Sequence, residues 1–456
     1  RSKLKISKKE LILKGNMYKV LMTLSLPIMI NNLIQTLYNL VDGIWVSKIS
    51  SVHFAATAFV FPVNFLFIAI GIGVSVAGTS ILSQMVGADR EDQAREYAAQ
   101  LIGISVLLSL AFSIFGVAAT PWIVRAMGGT GDLAVYSNIY LRITFLDRPF
   151  LFLFYNINSI RNAQGDTVTP TVLSGISAIL NMILDPIFIF TFGWGIAGAA
   201  WATLLSRALL SVYGIRLIMG DENPLRPDFK GFKFNRHILR ELSRIGFPAA
   251  IGQSGAAFGF IILNGFIVSY GTATMAAFGM VNRITSLIMQ PAMGIGAALT
   301  AVIGQNIGAR LYDRVRESFR KASLLTLVLG TVGGLLMFFF RDPIVNFFIQ
   351  SKDDPELITQ GIGYLSWIAF TTPLMGMFSV FQGVFQGSGH TKYSMAMEIG
   401  RLWLVRIPLI LLLKNFTDIG PTGIWFSMVF SNLLVVIFGI YIYRKGSWSE
   451  QVLTSA

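Results

Sequence analysis

The sequence predicts an all-α polytopic membrane protein with twelve transmembrane helices in two pseudo-symmetric six-helix bundles. Three observations carry that prediction. The 456-residue chain is 54% hydrophobic and only 13% charged, whereas soluble chains carry about a quarter charged residues. Its apolar residues form runs that match the ~20 helical residues needed to span a ~30 Å hydrocarbon core. The pattern of those runs, with polar residues between them, occurs twice.

Reading the apolar runs between turn signals places the spans at 17–47, 53–84, 97–120, 133–161, 168–191, 195–218, 239–270, 273–305, 315–341, 356–386, 392–414 and 421–443. Lipid cannot satisfy open backbone groups, and no alternating barrel pattern is visible, so the spans are helices. Several approach or exceed 30 residues, which implies tilt or extension beyond the bilayer.

The net charge of +13 does not point to nucleic acid, because the basic residues occupy alternate loops. One side holds Arg1, Lys3, Lys5, Lys8, Lys9 and Lys14, then Arg90, Arg95 and Arg161. It continues with Arg226, Lys230, Lys233 and Arg236, the cluster Arg310 to Lys321, and Lys392, Arg444 and Lys445. The other side has Lys48, Arg125, Arg341, Lys352 and Lys414. The positive-inside rule then puts both termini in the cytoplasm of a multi-pass cell-membrane protein. With no cysteine there is no disulfide or thiolate chemistry. The basic N-terminus lacks a signal-peptide apolar core, and without an initial Met it reads as a trimmed end.

The polar loop 220–237 divides the chain, and motifs recur across it at an offset of about 221. SLP at 25–27 matches GFP at 246–248, and DGIWVS at 42–47 matches NGFIVS at 264–269. SQMVGADREDQARE (83–96) matches GQNIGARLYDRVRE (304–317), and NAQGDT (162–167) echoes VFQGSGHT (384–391). Asp185-Pro186 falls near Arg406-Ile407-Pro408. The expected organisation is a cytoplasmic segment 1–16, an N-lobe 17–218, a cytoplasmic loop 219–238, a C-lobe 239–445 and a cytoplasmic tail 446–456. Repeats that start on the same membrane side are related by an axis along the membrane normal.

Asp42 and Asp185 lie inside apolar spans of the first half. A carboxylate at that depth costs at least ~2.5–3.5 kcal/mol on insertion scales, so it marks a functional site. Asn31, Gln35, Tyr38 and Asp42 recur at i, i+4, i+7 and i+11, one face of the first helix. Packing by interhelical hydrogen bonds is the plain alternative for such a stripe. Asn181 and Asp185 are one turn apart on the fifth span, and Pro186 leaves the Met182 carbonyl without its helical donor. Thr203 and Asn158 add neutral oxygens. Brought together, these residues suit either an oxygen cage for Na+, at Asp42, Asn181, Asp185 and Thr203, or a carboxyl network that carries a proton, since burial and like charge both oppose ionisation.

Paired GQxxGA-type segments, Arg161…Gln164-Gly165-Asp166-Thr167…Pro170 and Gly195…Gly198-Ala199-Ala200-Trp201-Ala202-Thr203…Ser206, resemble those of the multidrug and toxic compound extrusion (MATE) family. The resemblance covers essentially the whole chain. Asp42 with Asn181…Asp185-Pro186 resembles the prokaryotic subgroup related to DNA-damage-inducible protein F, especially its archaeal members. It implies a V-shaped two-bundle antiporter in which inward H+ or Na+ drives out organic cations and fluoroquinolone-like drugs. It also implies that the first helix bends near Pro27 when the N-lobe acid is protonated, and that Tyr38 and Tyr140 face the N-lobe cavity.

With the resemblance, Asp42, Asp185, Asn181, Thr203 and Asn158 are the expected cation-coupling residues, and Gln35, Tyr38, Tyr140 and Asn158 the substrate-binding ones. Tyr155 and Met182 fit an adaptable drug surface, although packing explains any single Met or aromatic equally well. Asp147 and Arg148, near Arg142, read as a mutually neutralising pair, and Glu398 and Arg401, at i, i+3, as another. The C-half excess of Arg283, Arg401 and Arg406 suits a scaffold or an anion-facing wall rather than cation storage.

No phosphate-cradling GxxxxGK[ST] occurs, and His53, His237 and His390 are too scattered for a metal site. No nucleophile–base pair suggests an enzyme. The expectation is a monomeric H+-coupled drug antiporter in the lipid bilayer, with no nucleic-acid partner and no cofactor beyond the coupling ion. Na+ coupling is the alternative. A lipid-linked precursor flippase is a further one, and it calls for a strongly cationic central cavity.

Overall fold

The computed structural model describes residues 7–348 and 354–450. The outermost residues of the expected N-terminal segment and tail, and Lys352, lie outside that range. The described residues are helical, with no strand among them. In chain order the first helices are α1 (Lys8–Lys14), α2 (Met17–Ser47), α3 (Ser51–Gly87), α4 (Glu91–Ala126), α5 (Gly131–Leu146), α6 (Arg148–Ala163), α7 (Val168–Pro186) and α8 (Ile196–Ile218). The second half adds α9 (Arg236–Val268), α10 (Thr272–Gly308), α11 (Tyr312–Phe339), α12 (Arg341–Phe348), α13 (Pro355–Ile368), α14 (Thr372–Gly387), α15 (Thr391–Ile399), α16 (Ile407–Phe416) and α17 (Thr422–Lys445).

Nine of the described helices are long and apolar enough to cross a membrane, or ten when α13 and α14, bent by 52°, count as one span. The expected count of twelve is therefore not reproduced by length and composition. The stretch 133–161 is broken at Asp147 into α5 and α6, and 392–414 is interrupted by a π-helical turn, Gly400–Arg406. A second π-helical turn, Ile187–Thr191, follows α7.

The chain forms two compact units, an N-half unit built on Ile30–Ala250 and a C-half unit that joins Leu11–Met29 to the chain from Ile251 onward. Both divisions fall inside helices rather than at the polar loop. Residues 17–29 of α2 belong to the C-half unit because Met17, Val20, Leu21 and Leu24 are fully buried in a core with Ile295, Leu299, Phe381 and Phe385. Residues 236–250 of α9 belong to the N-half unit, where Tyr97 donates to Glu241 and a Cβ on Gly73 would meet the Gly246 carbonyl at 2.6 Å. Pro27 and Pro248, at equivalent places in the repeat, each lie two residues before the division.

Side-chain pattern sets which face of each helix is polar. On α2, Ile30, Leu33, Leu37, Leu40 and Ile44 form an exposed apolar stripe, opposite the face bearing Gln35, Tyr38 and Asp42. On α7, Val168, Val172, Ile176, Ile179 and Ile183 do the same, opposite Ser174, Asn181 and Asp185. Apolar stripes of this kind suit hydrocarbon, and the polar faces turn inward where partners exist.

Candidate functional site

Polar side chains bridge α2 and α7 in three successive rungs. Gln35 donates its Nε2 to Ser174 Oγ at 2.7 Å. Asn181 donates its Nδ2 to the Tyr38 hydroxyl at 2.8 Å and lies 3.0 Å from Thr203 Oγ1, which is 3.1 Å from the same hydroxyl. One turn further along both helices come Asp42 and Asp185, whose carboxyls lie within electrostatic range of each other. No protein donor reaches Asp42 Oδ1 or either Asp185 oxygen. Asp185 is fully buried and Asn181 nearly so.

The first two rungs border a cavity of about 250 Å³ in the N-half unit. Asn31, Tyr155, Asn158, Ser177 and Arg207 complete its polar lining. The Oδ1 atoms of Asn31, Asn158 and Asn181 are buried and receive no protein hydrogen bond. These carbonyl and carboxyl oxygens are acceptors, so the region offers electron pairs that no protein donor meets. Tyr140 packs at the edge of the apolar cluster of Val60, Val124, Leu141 and Phe145, within electrostatic range of both carboxyls.

The backbone beyond the acidic pair is irregular. Pro186 supplies no N–H to the helical ladder, and the next residues wind as a π-turn closed by Phe192 N–H to the Ile187 carbonyl at 2.9 Å. Such turns recur inside helices at functional positions. Gly198 allows α8 to pack against this turn, since a Cβ there would lie 2.6 Å from the Phe188 carbonyl carbon. Val46, Ile189 and Ala199 fill the contact.

The structure thus gathers Asp42, Asp185, Asn181, Thr203, Tyr38, Gln35 and Asn158 in one region of the N-half unit, with Tyr140 beside it. Pro27 belongs to the portion of α2 that is part of the C-half unit.

Two expected ion pairs are corrected. Asp147 pairs with Arg207, not with Arg148. Arg148, almost fully buried, donates its Nη2 to Asn64 Oδ1 at 2.7 Å instead. Glu398 and Arg401 form no ion pair; Glu398 accepts from Gln253 Nε2 at 3.3 Å, and the Arg401 guanidinium lies 4.4 Å over the Phe378 ring. Arg207, Ser174 and Ser177 are the polar cavity residues that sequence reasoning missed. An arginine one turn after Thr203, deep in an apolar helix, was the signal available.

A family model described as MatE matches the chain twice, over residues 27–187 and 248–412. The chain belongs to the MatE family. The two matches begin 221 residues apart, the offset of the internal repeat. The chain is 27% identical to the probable multidrug resistance protein YpnP of Bacillus subtilis (strain 168), covering 96% of this chain and 98% of that one. It is 24% identical to the multidrug export protein MepA of Staphylococcus aureus (strain MSSA476), covering 94% of each. A solved outward-facing MATE family multidrug resistance transporter of the MOP superfamily superposes with a TM-score of 0.90 at 26% identity, covering 97% of this chain and 98% of that one. MatE membership makes this a multi-pass membrane transporter rather than an enzyme.

Proposed function

We propose that this MatE transporter is a proton-coupled antiporter that exports organic cations and fluoroquinolone-like drugs. The observation that carries the reading is the Asp42–Asp185 pair, two carboxyls in electrostatic range of each other with no protein donor to either Asp185 oxygen. Two carboxyls that share a low-dielectric site oppose each other's ionisation, so the pair suits holding and releasing a proton. The names of its relatives, multidrug resistance and multidrug export proteins, support the substrate class.

In the proposed cycle, protons reach Asp42 and Asp185 from outside, and the bound drug loses its cavity as α2 bends near Pro27. Pro27 lies inside α2, two residues before the helix passes from one compact unit to the other, which is a favourable place for a bend. Proton release toward the cytoplasm resets the site. A potential of ~100 mV contributes ~2.3 kcal/mol per charge moved. The basic loops support cytoplasmic termini in the cell membrane, and the chain acts as a monomer. Asp42 with Asn181…Asp185-Pro186 supports a place in the subgroup related to DNA-damage-inducible protein F, among its archaeal members.

Na+ coupling through Asp42, Asn181, Asp185 and Thr203 is the second reading. The donor-free Oδ1 of Asn181, one turn from Asp185, favours it, because a hard cation takes neutral as well as charged oxygens. Drug efflux from cells tests the shared core of both readings: Asp42→Asn and Asp185→Asn are expected to abolish it at normal expression, and undiminished efflux would contradict it.

A further inference from the structure

The C-half unit encloses a cavity of about 550 Å³, within the range of small-molecule sites. Its polarity is the reverse of the acceptor-rich N-half site. Part of its lining is soft and apolar, with Met289, Met293 and Phe378; flexible thioethers and aromatic rings adapt to varied apolar bodies. The same lining carries Arg401, stacked on Phe378, and Arg406.

The backbone explains why both arginines reach that lining. They lie five residues apart on the π-helical turn Gly400–Arg406. Residues i and i+5 diverge around an α-helix, but a π-turn closes with an i→i+5 bond and brings them onto one face.

Neither guanidinium makes a direct ion pair among the described residues. Arg401 contacts Met375 Sδ at 3.3 Å through Nη1, its Nε is buried without an acceptor, and the side chain is 7% exposed. Arg406 donates Nε to Ser431 Oγ at 3.0 Å and Nη2 to Asn432 Oδ1 at 2.8 Å, both uncharged. Glu398 is the one carboxylate in the lining and forms no ion pair with either arginine. Two cations against one carboxylate, itself held by Gln253, leave an excess positive charge that an added anion completes, since a buried charge without a counter-charge is costly.

We propose that the C-half cavity binds an amphiphilic organic anion, with its carboxylate or phosphate on Arg401 and Arg406 and its apolar body against Met289, Met293 and Phe378. The site is independent of the acidic pair and stands whether or not the coupling reading holds. Its anion comes from a soluble organic acid or from a lipid headgroup.

Native mass spectrometry of the full chain in detergent, with 1-pyrenebutyrate and its uncharged counterpart 1-pyrenebutanol, tests this. One pyrenebutyrate per chain is expected, at least tenfold favoured over the alcohol. It should be lost in Arg401→Gln and in Met289→Trp, which enlarges a buried lining side chain, and kept in Asp42→Asn. A co-purifying phospholipid displaced by pyrenebutyrate identifies the lipid source, and binding without displacement identifies the soluble one. Equal uptake of acid and alcohol, or binding that survives Met289→Trp, overturns the assignment whether or not Arg401→Gln folds.

Discussion

Asn181 donates to the Tyr38 hydroxyl at 2.8 Å, and the residues one turn beyond each of them are Asp185 and Asp42. The neutral rung borders the cavity, and the acidic rung lies further along the same two helices. Anything that moves α2 relative to α7 therefore acts on cavity and carboxyls together.

Removing the Tyr38 hydroxyl tests that linkage. Tyr38→Phe leaves Asn181 Nδ2 with Thr203 Oγ1 alone. A hydrogen bond of this kind is worth about 1 kcal/mol net, so drug transport in proteoliposomes should fall about fivefold, and further in Asn181→Ala. Unchanged transport in both variants would reduce the rung to packing.

The buried Asp147–Arg207 pair makes a prediction about stability. Removing one partner of a buried pair costs about 3–5 kcal/mol; Arg207 is 26% exposed, so the lower end applies here. Asp147→Asn or Arg207→Met alone should lower the thermal midpoint in detergent, and Asp147→Leu with Arg207→Met should recover most of the loss. An additive double variant would contradict the pairing.

His390, in the turn between α14 and α15, has its imidazole held below the ordinary value of 6.5 by burial and, after that, by Lys392. The folded chain then binds fewer protons than the unfolded one as pH drops below about 6.5, so stability falls from there down through the lowered value. Thermal unfolding between pH 7 and 5 should show a shallower acid-side decline in His390→Gln. An identical slope would remove His390 as a cause.

Gly198→Val should destabilise the N-half unit by about 1–3 kcal/mol through overpacking, because its Cβ would fall against the Phe188 backbone. A thermal midpoint equal to wild type would show that the π-turn yields freely.

Much of this architecture is visible in residue order alone. The polar stripe on α2 and the Asn181–Asp185 spacing depend only on helical period, and the structure places these side chains where that period puts them. The breaks were harder to see. The π-turns at 187–191 and 400–406 and the bend between α13 and α14 depend on tertiary packing and on which carbonyls find donors. Arg207 escaped notice because its partner Asp147 is sixty positions away, while an adjacent arginine offered a nearer but false match.

The most direct measurement of the central claim is drug transport by the purified chain in sealed vesicles, driven by one gradient at a time. A pH gradient without Na+ should drive drug accumulation, and a Na+ gradient at equal pH should not, with both responses absent in Asp42→Asn. Accumulation driven by Na+ alone would contradict the account.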